Sequence, residues 1–165
     1  MIHFTLLHFR LFLVTSLLFT AISFSISAQN RTVLVTTDGA EVPGTWSSDA
    51  RLKTLVRDLH PAVYINEGVV KVREVSPTTL FTDVTSIESI GALAFPSSKI
   101  EVVTILIENA EQLSGHIDLS KFSGYGRLKY VHVKSSVDCD TSDLFKMLKN
   151  IDAQYRILLT VERPS

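Results

Sequence analysis

Three closely spaced aspartates, Asp138, Asp140 and Asp143, form the densest carboxylate cluster in the chain and raise the question of calcium binding. A calcium loop counted from Asp138 requires glycine at its sixth position and glutamate at its twelfth, but Asp143 and Lys149 stand there. Capping of a following helix, with negative charge near its amino terminus, explains the carboxylates without a metal. We therefore predict no metal site and no cofactor.

Histidine is the next residue type that could do chemistry, as a metal ligand or as a general base. Beyond residue 28 the histidines are His60, His116 and His132, and none has a second histidine or cysteine at ligand spacing. A catalytic triad can assemble from distant residues, but the chain has no nucleophile elbow or phosphate loop. A small hydrolase that uses His132 or His116 with a nearby carboxylate is one alternative, for which the sequence names no nucleophile.

The single cysteine, Cys139, can form no disulfide within the chain. It lies between two aspartates, whose charges raise the pKa of a neighbouring thiol and disfavour the reactive thiolate. Cys139 is therefore interpreted as a small packing residue in a turn between a strand and a helix.

Apolar spacing predicts the elements that position these groups. In the amino-terminal part, residues 29–77, one helix is predicted from the helical spacing of four apolar residues, Leu52, Leu55, Val56 and Leu59. Ser47 or Ser48 is its predicted N-cap, and Pro61 sets the limit at its carboxyl-terminal end. Strands are predicted over 32–36, 62–65 and 69–75, the last two around a hairpin loop at 66–68.

The carboxyl-terminal part, residues 78–165, has apolar runs at wider spacing. Strands are predicted over 102–107, 128–133 and 156–161, with a helix over 142–151 that Asp140 or Thr141 caps. A strand, a helix and a strand at this spacing form a crossover between parallel strands. We expect both parts to belong to one compact domain of the α/β class.

A 26-residue step separates the apolar pairs of the three strands, which are Ile105 and Ile107, Val131 and Val133, and Ile157 and Leu159. Strand alternation then stacks their outward side chains in rows, of which one contains Thr104, Tyr130 and Arg156 and the next contains Leu106, His132 and Leu158. A third row contains Glu108, Lys134 and Thr160.

The 26-residue step and the segment 128–136, LKYVHVKSS, resemble the leucine-rich-repeat family over roughly residues 100–162. In this resemblance Val131 and Val133 occupy core positions, and Ser136 stands where asparagine or cysteine is usual. Val102, Ile105 and Ile107 match the same apolar positions, with Ala110 at the asparagine place. The resemblance implies a short, irregular parallel-strand repeat preceded by a small α+β part; a short three-layer α/β domain is the alternative.

An open strand face in such a repeat would be a recognition surface. We therefore predict that Thr104, Tyr130, His132, Lys134 and Arg156 contribute to binding. If helices cover the face instead, Leu106 and Leu158 belong to the core and Glu108 with Lys134 is an edge ion pair.

The amino-terminal segment 1–28 predicts the compartment. An apolar run over 11–24 follows Arg10 and ends in small and polar residues, which is typical of a cleaved secretory signal peptide. An uncleaved membrane anchor is the alternative, because 11–28 carries no charge. Cleavage after Ala28 would leave 29–165 as the mature chain, secreted or periplasmic and without a stable membrane anchor.

The formal net charge of −1 gives no electrostatic reason to expect nucleic acid or an anionic membrane surface as a partner. The sequence thus favours an exported, non-enzymatic binding domain whose partner is another protein or an envelope component. A second alternative, beside the hydrolase, is an envelope structural subunit that pairs through an exposed last strand at 156–162.

Overall fold

The structure, a computed structural model, describes residues 30–43 and 46–162. The signal-peptide prediction for residues 1–28 lies outside these ranges. Within them, the regular structure comprises two α-helices and nine strands, with four short 3-10 turns in the connections. The helices are α1 (Ala50–Arg57) and α2 (Thr141–Met147), and the strands are β1 (Arg31–Val35), β2 (Ala62–Asn66), β3 (Val69–Val72), β4 (Thr79–Asp83), β5 (Val102–Ile107), β6 (Ile117–Asp118), β7 (Tyr130–Ser135), β8 (Leu148–Lys149) and β9 (Arg156–Val161).

Seven strands form one sheet in the order β1-β9-β7-β5-β4-β2-β3. The five inner strands are parallel and neighbour one another in chain order, whereas the edge strands β1 and β3 are antiparallel to their neighbours. A separate parallel pair joins β6 and β8. The expectation of a mixed α/β fold with mostly parallel strands is confirmed.

The last strand is not an edge of the sheet. β9 lies between β7 and β1, because β1 returns from the start of the chain to pair with it antiparallel, Val33 opposite Leu159. The prediction of an exposed last strand at 156–162 is therefore wrong, and the edges are β1 and β3.

The strand register differs from the uniform 26-residue step. β7 and β9 do pair at that step, Val131 opposite Ile157, but β5 and β7 pair at a 28-residue step, Val103 opposite Val131. The strand 102–107 is apolar at nearly every position, so its pattern fits either register equally well. The predicted rows are therefore wrong where they include β5, because Thr104 lies opposite His132 and Leu106 lies opposite Lys134. Between β7 and β9 they are confirmed, since Tyr130 lies opposite Arg156 and His132 opposite Leu158.

The two faces of the main sheet are covered unequally. The closed face carries Val103, Val131 and Ile157 and shares one core cluster with Leu144 of α2 and Phe122 of the β6–β7 connection. The opposite face, which we call the half-covered face, carries the alternate side chains of the same strands. Leu52 and Leu55 of α1 pack there in a second, smaller cluster with Leu34, Val102, Tyr130 and Leu158.

Asp49, rather than Ser47 or Ser48, caps α1, and its carboxylate accepts the Leu52 amide at 3.0 Å. The helix ends at Arg57, earlier than the apolar spacing predicts. Leu59 lies beyond it and is fully exposed, at 103% of the reference area. The first helix is therefore short, and its two buried residues are Leu52 and Leu55.

Asp140 caps α2 as predicted, and Asp143 accepts the Asp140 amide at 3.3 Å and pairs with Lys146 at 2.8 Å. The helix ends at Met147, and Leu148 and Lys149 form β8 instead of the last helical turn that the sequence predicts. In the part of the chain that the structure describes, no helix has the length and apolar content needed to cross a membrane.

Candidate binding cleft

The half-covered face is closed at one end and open at the other. α1 lies over the amino-terminal ends of the central strands, where Leu52 and Leu55 contact the cluster that contains Val102 and Tyr130. Beyond the helix a cleft of about 440 Å³ remains, a volume typical of ligand sites. It is lined by side chains of the sheet, of α1 and of the segments beside them: Thr32, Trp46, Leu55, Val56, Arg57, Phe81, Thr104, Leu106, His132, Lys134, Thr160 and Glu162.

His132 forms part of the cleft floor. The residue is only 5% exposed, and its Nε2 lies 2.9 Å from the hydroxyl of Thr160 on β9. Burial, with a smaller contribution from the positive charge of Lys134, lowers the pKa of His132 to about 3. The imidazole is therefore neutral at physiological pH, with one nitrogen able to donate and the other to accept a hydrogen bond.

A chain of hydroxyls continues from His132 across the floor. Thr160 is also 3.1 Å from the hydroxyl of Thr32 on β1, so its oxygen is shared by two neighbours. Thr104 is 5% exposed, and its hydroxyl has no hydrogen-bond partner among the residues described. A hydroxyl on the floor of an open cleft is suited to a polar group of a ligand.

The rim of the cleft carries charge and an aromatic ring. Lys134 pairs with Glu162 at 2.9 Å between the ends of β7 and β9. The guanidinium of Arg57 lies over the ring of Trp46, 5.2 Å from its centroid. Trp46 and Arg57 come from the segments before and within α1, so the helix supplies one wall of the cleft and the strands supply the floor.

The structure brings together three of the five residues predicted to bind: Thr104, His132 and Lys134 all line the cleft. The other two lie under the amino terminus of α1. Tyr130 donates to Asp49 at 3.2 Å, and Arg156 forms an ion pair with the same carboxylate. The predicted pair of Glu108 with Lys134 is wrong, because Lys134 pairs with Glu162.

Asp49 holds the helix against the sheet. Its burial raises the pKa of the carboxyl, but the hydrogen bonds from Leu52 and Tyr130 and the charge of Arg156 outweigh this and leave the pKa below its ordinary value. The pKa of Tyr130 is raised, by burial first and by the Asp49 charge second. Tyr130 and Arg156 thus position α1, which in turn forms the cleft wall.

Sequence reasoning missed Trp46, Arg57 and Phe81 as cleft residues. Alternation along β4 puts Phe81 on the same face as Thr104, its partner on β5, but the prediction did not include a strand at 79–83. The docking of α1 across β5, β7 and β9 is a tertiary contact that no local pattern contains.

The remaining candidate groups lie elsewhere. His60 is within hydrogen-bond distance of the Thr54 carbonyl, 3.0 Å away, and His116 is exposed in a connection. Across residues 30–43 and 46–162, no group of three histidine, cysteine or acidic residues is arranged to hold a metal.

A cavity of comparable volume, about 450 Å³, lies between Cys139, Leu113 and α2. Burial raises the pKa of the Cys139 thiol, and the charges of nearby aspartates raise it further against the effect of a hydrogen bond with Ser135. Two charged residues that line this cavity, Asp143 and Lys146, form an ion pair with each other. The cleft on the half-covered face is therefore the better candidate, because it combines aromatic walls with the polar side chains of Thr104 and His132 on its floor. Comparison of the chain with family models, with curated proteins and with solved structures finds no match.

Proposed function

We propose that this chain is an exported binding domain, secreted or periplasmic, that recognises another protein or an envelope component through the cleft on the half-covered face. The amino-terminal leader supports export. The cleft supports recognition, because apolar walls and a few convergent polar groups are the usual composition of a binding site. The single observation that carries the proposal is the open cleft in which Thr104 and neutral His132 lie side by side on the floor, beside the aromatic rings of Trp46 and Phe81.

We further propose that the parallel strands form a short, irregular leucine-rich-repeat-like series. Two observations support this: consecutive inner strands are neighbours in chain order, and β6 and β8 pair parallel in the connections between them. The 28-residue step between β5 and β7 also aligns Ile100 with Leu128, both fully or nearly buried, ahead of Val103 and Val131. With this step, Glu108 rather than Ala110 aligns with Ser136, at the position where leucine-rich repeats usually have asparagine.

Cleft blocking tests the binding proposal. Leu106 is half-buried and lines the cleft, so Leu106→Trp fills part of the volume without changing charge. Leu59→Trp makes the same substitution at a fully exposed position outside the cleft and is the matched control. The wild-type chain and both variants, each immobilised, are used to recover partners from culture medium and envelope extract.

We expect the wild type and Leu59→Trp to retain the same partner and Leu106→Trp to lose it, with equal thermal unfolding of all three chains. Retention of every recovered component by Leu106→Trp would remove the cleft from the proposal.

A hydrolase is the second candidate, because His132 Nε2 lies within proton-transfer distance of the Thr160 hydroxyl inside the cleft. The lowered pKa of His132 makes it a weak base, and its partner is a hydroxyl rather than the orienting carboxylate of a triad. Turnover of a panel of activated esters that Thr160→Val abolishes would establish the hydrolase. Absent turnover, or turnover that Thr160→Val leaves unchanged, excludes this pair as its catalytic centre.

A further inference from the structure

Two arginines of the half-covered face lie over aromatic rings. Arg57 lies over Trp46, and Arg73, just after β3, lies 5.9 Å from the centroid of the Tyr64 ring on β2. Tyr64 stacks on Phe81 of β4, with ring centroids 5.0 Å apart and planes inclined by 8°. Phe81 lines the cleft, so the aromatic surface runs from the cleft to the β2 side of the sheet. We call this surface, formed by Trp46, Arg57, Phe81, Tyr64 and Arg73, the arginine–aromatic strip.

Both guanidinium groups retain hydrogen-bonding capacity. Within the described ranges neither Arg57 nor Arg73 has a carboxylate partner, whereas Arg31, Arg51 and Arg156 each form an ion pair. A guanidinium that lies over an aromatic ring keeps N–H groups with which it can bind a carboxylate. Lys71, opposite Tyr64 on β3, adds a third positive charge to the same face.

The cleft and the strip together have dimensions that suit a short extended peptide. The path from His132 on β7 to Tyr64 on β2 crosses three strand intervals, because β5 and β4 lie between them. At about 4.8 Å per interval the path is about 14 Å long, which four to five extended residues span. A compact small molecule would fill the cleft but would not reach Arg73.

We propose that the strip binds an acidic peptide segment of a partner protein, with a bulky apolar side chain in the cleft and flanking carboxylates on Arg57 and Arg73. This rests on the proposed function and specifies its ligand. The apolar side chain is placed against Leu106 and Phe81, and the carboxylates meet guanidinium groups that are oriented by the rings beneath them. Charge complementarity favours an acidic segment over a neutral or basic one, and the near-neutral chain as a whole disfavours an extended polyanion.

Trp46 is the only tryptophan in the chain and lines the cleft, so its fluorescence reports binding directly. The probes are three acetylated and amidated pentapeptides, each with a central phenylalanine between two pairs of glutamate, glutamine or lysine. The full chain is expressed with its leader, so that the host can remove it, and the purified protein is titrated with each peptide at low salt. The titration is repeated with Arg57→Gln, with Arg73→Gln and with Arg127→Gln as the matched control, since Arg127 is exposed in the loop before β7.

We expect the glutamate peptide to bind at least about tenfold more tightly than the glutamine peptide, and each strip variant to lose about tenfold in affinity. Arg127→Gln should bind as the wild type does, and added salt should weaken the glutamate peptide most. Arg73→Gln is the cleaner variant because it leaves the surroundings of Trp46 unchanged.

Equal binding of the three peptides, or wild-type affinity in both Arg57→Gln and Arg73→Gln, would overturn the acidic preference while leaving cleft binding in place. No binding of any peptide would also overturn the inference, and the recovery experiment with Leu106→Trp would still decide the proposed function separately.

Discussion

The Nε2 atom of His132 lies 2.9 Å from the hydroxyl of Thr160, on two neighbouring parallel strands beneath the cleft. Thr160 supplies a neutral partner, so nothing in this pair compensates a positive charge on the buried imidazole. Lys134, which follows closely along β7, disfavours that charge further. Protonation of His132 is therefore opposed by the fold, which makes the stability of the protein depend on pH.

Acidification should destabilise the wild type through His132. The folded pKa, about 3, lies below the unfolded value of about 6.5, so the unfolded chain binds the proton first as the pH falls. The contribution to stability is fully present above about pH 6.5 and is lost progressively towards pH 3. Between pH 7 and pH 5 we expect a loss of up to about 2 kcal/mol, measured by urea unfolding, that His132→Asn does not show.

The exposed His116 provides the control for this pH dependence. His116→Asn removes an exposed imidazole and is unfolded over the same pH range, so that any general effect of replacing a histidine can be subtracted from that of His132→Asn. Identical pH slopes for the wild type and His132→Asn would contradict the burial of a neutral imidazole. The comparison uses slopes, so the cost of the substitution at neutral pH does not affect it.

Removal of the Asp49 carboxylate should loosen α1. Asp49→Ala loses the cap on Leu52, the hydrogen bond from Tyr130 and the ion pair with Arg156, and we expect a cost of about 2–3 kcal/mol. Asp49→Ser keeps a capping oxygen and should recover about 1 kcal/mol of that loss. Urea unfolding followed by Trp46 fluorescence measures both variants; equal stability of the alanine and serine variants would show that the cap contributes nothing.

The sequence predicts much of the sheet but not the docking of the first helix. Strands β5, β7 and β9 follow from apolar runs, because buried parallel strands need apolar side chains on both faces. Because these strands are apolar at nearly every position, their sequences do not determine the register between them. The 28-residue step that places Val103 opposite Val131 is known only from the strand pairing in the structure. Alternation correctly places Thr104, His132 and Lys134 on one face, whereas the wall formed by Trp46 depends on a contact between distant segments.

Replacement of Asp83 should release the hairpin between β2 and β3. Its buried carboxylate accepts the amides of Glu67 at 2.8 Å and Ser86 at 2.7 Å, as well as the hydroxyls of Ser86 and Thr85. Burial raises its pKa, but these hydrogen bonds outweigh burial and lower the pKa below 3.8. Asp83→Asn replaces one acceptor oxygen with an NH₂ group that faces the amide and hydroxyl donors around it. We therefore expect the free energy of unfolding to fall by about 2–4 kcal/mol at pH 7.

The cost of Asp83→Asn should shrink with acidification below about pH 3.8, because the wild type then loses the contribution of its own carboxylate. Hydrogen exchange should show lost protection at the Glu67 amide. Glu111→Gln, exposed at the same end of the sheet, should change stability by less than about 0.5 kcal/mol. Unchanged protection at Glu67 in Asp83→Asn would contradict the anchoring role of the carboxylate.

The edge strand β3 should make the protein prone to self-association at high concentration. β3 pairs only with β2 within the described part, and the side chains of Val69, Val72 and Val75 are 58%, 46% and 92% exposed. Lys71 is the charge on this edge that opposes pairing between copies, so Lys71→Val should accelerate aggregation and Val72→Lys should slow it. Light scattering at equal concentration measures both rates. Each substitution is at an exposed position, so the free energy of unfolding should change by less than about 0.5 kcal/mol. Equal aggregation rates of the two variants would show that the protein associates through a surface other than β3.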